Sequence, residues 1–340
     1  MGWSPGGLAI VETLDRALGE LGEEWVLREI LASLSDVSAL RLGVGDDAVE
    51  LRGAEEIVVA GDMLVESTDV PLGMTHRQIG MKAVTAVVSD FAAKGAEPQY
   101  FFVELGLPAS MKGREFRDLW GGILSASKMY GGVVVGGDTN EAKEIVVGVV
   151  AIGRAINPIP RKGARPGDIL AVTGLFGKTY AGLHAAFSGN RDPKWRPLLD
   201  AVYEPRARLR EGIELARAGL ATSSIDSSDG LEACLRELSE MSGVGFIVER
   251  LPLDPLAEEY VCVHGLDLYE AVLRGGEEYE LVLTVPSSRL EEAARLLEGL
   301  GCSLIPVGKA VEDRIVMIKS GNSEMELRGR GWRHFKGRPR

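Results

Sequence analysis

Three times in its first 140 residues the chain passes through a short apolar stretch and then into glycine followed by aspartate. The stretches precede Gly45-Asp46-Asp47, Gly61-Asp62 and Gly136-Gly137-Asp138. Branched apolar side chains suit a pleated surface and glycine marks a turn, so each stretch reads as a buried strand with a carboxylate at its end. An anion at such a place is costly unless it is paired, and adjacent aspartates repel one another. A divalent cation is the economical partner. A single Gly-Asp pair can equally be a polar turn. Its repetition at separate strand ends points instead to several carboxylates converging on one cation cluster.

The remaining pattern is that of a layered α/β protein. Thr75 can cap a helix running to about Lys94, with Gly95 and Pro98 as its stop. Its apolar face holds Ile79, Ala83, Ala86, Val87 and Ala93, and Asp90 falls on that face, where it requires Lys82, Lys94 or a cation as partner. Strand-like Gln99–Leu107 and Glu144–Ile152 flank a helical stretch over Met111–Tyr130. The second half alternates strand and helix. In Ser224–Leu231, Asp226 and Asp229 bracket two serines at a helix start; one aspartate there could be a cap, two are harder to explain that way. Gly177-Lys178-Thr179 follows a strand but lacks the first glycine of a phosphate loop, since Val172 stands in its place, and is expected to be a tight strand-to-helix turn. The proline-rich segment 157–163 is the expected boundary between domains 1–157 and 158–340, and 340 residues exceed what one core usually holds.

Charge and cysteine usage narrow the function. A net charge of −12 argues against nucleic acid as partner, and a phosphate substrate would need metal ions to screen it. Three cysteines, Cys234, Cys262 and Cys302, stand far apart, which suits a reducing compartment and no zinc site. The N-terminus lacks a signal-peptide pattern and the apolar run from Ile145 to Gly153 is too short for a bilayer, so the expectation is a cytoplasmic protein with no membrane partner. The basic tail Arg328–Arg340 embeds Trp332 and Phe335, two large apolar side chains that call for a contact.

Taken together, GDDA at 45–48, D-x-L-V-E at 62–66, K-A-V-x-x-x-x-S-D-x-A-A-x-G-A-x-P at 82–98 and YGGxxxGGDT at 130–139 form a recognisable set. PRxGAxPGD at 160–168, IDSSDGL at 225–231, SGVG at 242–245 and RGGEEYEL at 274–281 complete it in order. The whole resembles the thiamine-monophosphate kinase family, archaeal members most, within the aminoimidazole-ribonucleotide synthetase-like superfamily. The resemblance implies a two-domain α/β (α+β) fold, with an N-terminal domain that forms an intersubunit β-barrel in a homodimer and a C-terminal sheet covered by helices. It implies Mg²⁺ held by Asp47, Asp62, Asp90, Asp138, Asp226 and Asp229 with Asp46 adjoining. It places ATP against Gly137, Asp138, Arg161 and Ser228, and thiamine monophosphate against Glu277 and Trp332.

Three departures stand out against that family: Gly61 where a hydroxyl residue is common, Asp69 where bacterial members face the substrate with histidine, and Glu278 for a usual aspartate. Asp69 therefore joins the candidate substrate residues. The implied reaction is direct in-line transfer to a phosphate that is already nucleophilic, so no general base is expected. The rivals are a hydrogenase-maturation-like dehydratase, whose C-terminal cysteine is not matched by Arg338-Pro339-Arg340, and a non-catalytic nucleotide-binding regulator, which intact aspartates speak against.

Overall fold

The computed structural model of the protein describes residues 49–52, 56–320 and 323–327. The N-terminal half comprises β1 (Val49–Arg52), β2 (Glu56–Val65), the one-turn α1 (Glu66–Asp69), α2 (His76–Lys94), β3 (Glu97–Leu107), α3 (Gly113–Met129), β4 (Val133–Glu141) and β5 (Val146–Arg154). Its five strands lie in the order β1-β2-β5-β3-β4, antiparallel except for the parallel pair β3–β4. Along β5, Val147, Val149 and Ala151 are buried while the residues between them are half-buried, the period-2 pattern of a sheet covered more fully on one face.

Helix α2 is the element on which both halves pack. It begins as the sequence indicates: the Thr75 hydroxyl accepts from the Gln78 amide at 3.3 Å, the Gln78 side chain accepts from the Thr75 amide at 3.0 Å, and Gly95 closes the helix in the left-handed conformation. The sequence suggests one apolar face, but α2 is buried nearly all round, with Phe91 wholly enclosed. The five-stranded sheet, α3 and elements of the C-terminal half surround it, so alanine and valine are needed on every side. Truncating Phe91 to alanine is expected to cost about 3–5 kcal/mol.

The second half contains β6 (Ile169–Val172), α4 (Lys178–Phe187), α5 (Arg196–Tyr203), α6 (Leu209–Arg217), β7 (Ser223–Asp226), α7 (Leu231–Ser242), β8 (Gly245–Val248) and α8 (Pro255–Val263). A π-helical turn over Glu270–Arg274 then leads to β9 (Leu281–Val285), α9 (Leu290–Glu298), β10 (Ile305–Val311), β11 (Val316–Ser320) and β12 (Ser323–Glu326). The strand order is β12-β11-β8-β10-β6-β9-β7, antiparallel except for β8–β11. Every residue of β9 is buried, which suits its apolar sequence, and the hydroxyl of its one polar residue, Thr284, lies within hydrogen-bond distance of the Thr222 and Ser223 hydroxyls. Among the described residues, no helix is long and apolar enough to cross a membrane.

Two local expectations change. Gly61-Asp62 lies inside β2, with Asp62 opposite Val149, and Gly136-Gly137-Asp138 lies inside β4, which continues to Glu141. These carboxylates are not at strand ends. Glycine and aspartate weaken a strand without ending it where a neighbour supplies the ladder, as β5 does for β2 and β3 does for β4.

Candidate active site

A polar seam joins α2 to the C-terminal half. Lys82 Nζ donates to Glu277 Oε1 and to the Asp69 carbonyl, both at 2.6 Å. Two turns further on, and so on the same face, Ser89 Oγ donates to an Asp226 carboxylate oxygen at 2.7 Å; at the end of the helix Lys94 Nζ donates to the Ser224 carbonyl at 2.7 Å. Lys82, Ser89 and Lys94 are all buried, which is tolerable only because each has a partner.

The seam opens into an acidic cleft. Asp62 shares the core-facing side of β2 with buried Val58, Ala60 and Leu64, yet its own side chain is exposed, so the covered face of the sheet opens at this position. Protein surrounding its carboxyl raises the pKa, the nearby charges of Asp69 and Glu277 add to the rise, and the Met63 amide (2.6 Å) and Lys82 oppose it. Buried Tyr279 reports the same neighbourhood. Burial pushes its hydroxyl well above the ordinary value, and the charges of Glu277, Asp62, Asp226 and Asp69 push it further. Asp62, Asp69, Asp226 and Glu277 thus all lie near enough to Tyr279 to act on its hydroxyl.

The other candidate residues lie on separate elements. Asp90 follows Ser89 on α2 and is half-buried. Ser228 and Asp229 are exposed just before α7, and half-buried Arg161 pairs with Glu237. Asp138 stands opposite exposed Glu104 and accepts from the Thr139 amide at 2.8 Å, on the sheet face away from Asp62. Gly137 is required where it is: a Cβ there would come within 1.7 Å of the Val103 carbonyl oxygen. Gly61 is under no such constraint, since a Cβ would meet Val150 at an ordinary 3.5 Å. Asp46, Asp47 and Trp332 lie outside the described residues. Among the described residues, no group of three His, Cys, Asp or Glu side chains is close enough to hold a metal ion alone.

The segment Gly275–Glu280 closes the cleft in a strained conformation. Glu277 and Tyr279 have φ of 63° and 51°, left-handed values that cost a non-glycine residue on the order of 1–3 kcal/mol each. Its backbone is tied to the loop before α7: the Glu277 amide donates to the Ser228 carbonyl at 2.7 Å and the Glu280 amide to Ser227 Oγ at 2.9 Å. The Glu280 carboxylate accepts two hydrogen bonds from Arg208, both 2.7 Å, and one from Thr173 at 2.7 Å. Burial works against the Arg208 charge, but these bonds and the Glu280 charge hold the guanidinium above its ordinary value. Glu278 accepts from the Gly177 amide at 2.6 Å and from the Thr179 amide and hydroxyl at 3.2 and 3.0 Å. Burial pushes its carboxyl up to about 7, against those hydrogen bonds. The amides at the start of α4 are therefore engaged by a carboxylate of the chain itself, and Lys178 pairs with Asp254 at 3.2 Å. That arrangement is a strand-to-helix turn.

Sequence reasoning missed Lys82, Ser89 and Glu278 as organisers of this region. For Lys82 a signal existed, because positions 82, 86 and 90 form one stripe on α2 and place its ammonium beside the candidate carboxylate. Glu278 gave none, standing in an acidic run that reads equally well as solvated charge.

Comparison with known proteins gives this site its family. The profile described as AIR synthase related protein, N-terminal domain, matches residues 45–155, and the corresponding C-terminal domain matches 165–319. Thiamine-monophosphate kinase of Pyrococcus horikoshii is 37% identical over 297 residues, 86% of this chain and 91% of the relative. The solved structure of AaThiL complexed with AMPPCP and TMP superposes with a TM-score of 0.83 at 26% identity, covering 94% of this chain and 99% of its own. Hydrogenase maturation protein HypE in complex with ATP shares the fold, with a TM-score of 0.68 at 18% identity over 88% of this chain and 90% of its own. The chain belongs to the AIR synthase related proteins and, within them, to the thiamine-monophosphate kinase family.

Proposed function

We propose that this chain transfers the γ-phosphoryl group of ATP directly to thiamine monophosphate, giving thiamine diphosphate and ADP. The observation that carries the reading is the 37% identity to a thiamine-monophosphate kinase over 91% of that relative's length. The likeness to AaThiL complexed with AMPPCP, an ATP analogue, and TMP supports both substrates. The acceptor phosphate is nucleophilic at neutral pH, so the site has to align two anionic groups and needs no base.

The carboxylates fit Mg²⁺. The donors are all oxygen, and Asp62 is surrounded by Asp69 and Glu277 with Lys82 as the nearby cation among the groups that perturb it. Asp62, Asp90, Asp138, Asp226 and Asp229, with Asp46 and Asp47, would hold the ions, which when bound supply neutralisation of phosphate charge. On this reading Gly137, Asp138, Arg161 and Ser228 serve ATP. Asp69, Glu277 and Trp332 serve the acceptor, whose cationic thiazolium suits two carboxylates and an aromatic face. Lys82 holds Glu277 in place.

We further propose a homodimer formed on the uncovered side of the N-terminal sheet. Met63, Tyr100, Phe102, Val133 and Val135 are exposed there at 40% or more, a cluster of apolar side chains that water alone covers poorly. Division of the chain at residues 157/158, between the two matched profiles, and a cytoplasmic location, in keeping with three free cysteines, complete the reading.

ADP release measured with thiamine monophosphate, thiamine and aminoimidazole-type precursors tests the acceptor. Thiamine monophosphate should be preferred, EDTA should abolish turnover, and Mg²⁺ should restore it. Preference for another acceptor, or full activity in excess EDTA, overturns the reading.

A further inference from the structure

The loop Gly275–Glu280 sends three carboxylates to three separate anchors. Glu277 reaches Lys82 on α2, Glu278 reaches the start of α4, and Glu280 reaches Arg208 and Thr173. The loop lies hard against the turn before α7, since a Cβ on Gly276 would come within 2.5 Å of the Ser228 carbonyl oxygen. Of the three anchors, the Glu278 contact is the one made to a helix start. It joins the loop, between two residues of left-handed backbone, to a helix start that provides two amides and a hydroxyl. A left-handed glutamate persists only where its surroundings determine it.

We propose that Glu278 is a positioning residue for the acceptor: by capping α4, it fixes the loop so that Glu277 is presented beside Lys82 and Asp69. The inference rests on the acceptor assignment above and deepens it. Glu278 acts through Glu277. The cap needs acceptor oxygens on a side chain of this length, so glutamine preserves it and alanine abolishes it. Released from α4, the loop relaxes out of its left-handed turn and Glu277 is no longer pre-arranged, which weakens acceptor binding, whereas the ATP residues Gly137, Asp138 and Arg161 belong to other segments and keep their places.

The test compares Glu278→Ala, Glu278→Gln and Thr179→Val in the full chain. Glu278→Ala should raise KM for thiamine monophosphate at least tenfold with KM for ATP changed less than twofold; Glu278→Gln should stay within threefold of the parent; Thr179→Val, which removes one donor of the cap, should raise the acceptor KM about threefold. Hydrogen exchange read by mass spectrometry should show residues 275–280 exchanging at least tenfold faster in Glu278→Ala, with α2 unchanged. Equal effects on both substrates, an unchanged acceptor KM or unchanged loop exchange overturns the proposal. If Glu278→Ala does not fold, the selective effect of Thr179→Val on the acceptor decides, and its absence is a refutation. Should the parent protein fail to use thiamine monophosphate at all, the acceptor assignment falls, while loop exchange still shows whether Glu278 anchors the loop.

Discussion

Two regions of this molecule invert the usual distribution of side chains, in opposite directions. The seam between α2 and the C-terminal half is buried yet polar, with Lys82, Ser89 and Lys94 each donating to a group across the boundary. The outer side of the N-terminal sheet is exposed yet apolar, with Met63, Tyr100, Phe102, Val133 and Val135 facing solvent. Burying charge is expensive and is repaid only by exact pairing or by chemistry, whereas exposing apolar surface is repaid only by a partner. On the reading proposed above, the first region is where the chain works and the second is where it associates.

The largest effect expected is at the seam. Asp226→Asn removes a charge from the cleft while leaving Ser89 an oxygen to donate to, so turnover should fall at least a thousandfold with the circular dichroism spectrum unchanged. Near-normal ADP release would separate the seam from the chemistry. Next in size is a change on the open face. Phe102→Glu should weaken dimerisation at least a hundredfold, about 2.7 kcal/mol, as read by sedimentation across a concentration series. A parent protein that sediments as a monomer at micromolar concentration would break this half of the comparison.

Lys82→Met probes the seam more gently. It keeps the apolar stem and removes the ammonium, leaving Glu277 without this partner, so acceptor KM should rise roughly tenfold and Tm fall by several degrees. A pure stability loss with unchanged KM would make Lys82 a packing residue. The smallest effect concerns pH. The Glu278 carboxyl is raised by burial from 4.5 to about 7, so its contribution to stability is fully present below 4.5 and is lost as pH rises through about 7. Glu278→Gln, which cannot ionise, should flatten the dependence of Tm on pH between 4.5 and 7. An identical slope in parent and variant would mean that this carboxyl does not titrate in that window.

How far the sequence reveals all this depends on whether the determining interaction is local. Helix α2 is legible because Thr75, Gln78 and Gly95 write its ends into adjacent residues. Asp62 and Asp226 stand out because each belongs to a local pattern, Gly-Asp after an apolar stretch or Asp-Ser-Ser-Asp at a helix start, that a single turn or cap explains poorly. That Asp62 and Asp138 fall on opposite faces of one sheet is not legible, because it depends on the register shift between Phe101 and Phe102 in the β3–β4 pairing. Nor is the role of Glu278, whose partners Gly177 and Thr179 are 101 and 99 residues away. Its acidic neighbours conceal it, and only the folded chain distinguishes a carboxylate that caps a helix from one that faces water.

The position of α2 also bears on how such a chain can be divided. Its residues belong by sequence to the N-terminal half, yet Lys82, Ser89 and Lys94 donate to Glu277, Asp226 and Ser224 of the other, with Asp69 a second acceptor for Lys82 on its own side. A cut at the linker would leave the two lysines on one fragment and their described acceptors across the seam on the other. The two halves can be named separately, but α2 packs against both, and neither is expected to keep its shape when expressed alone.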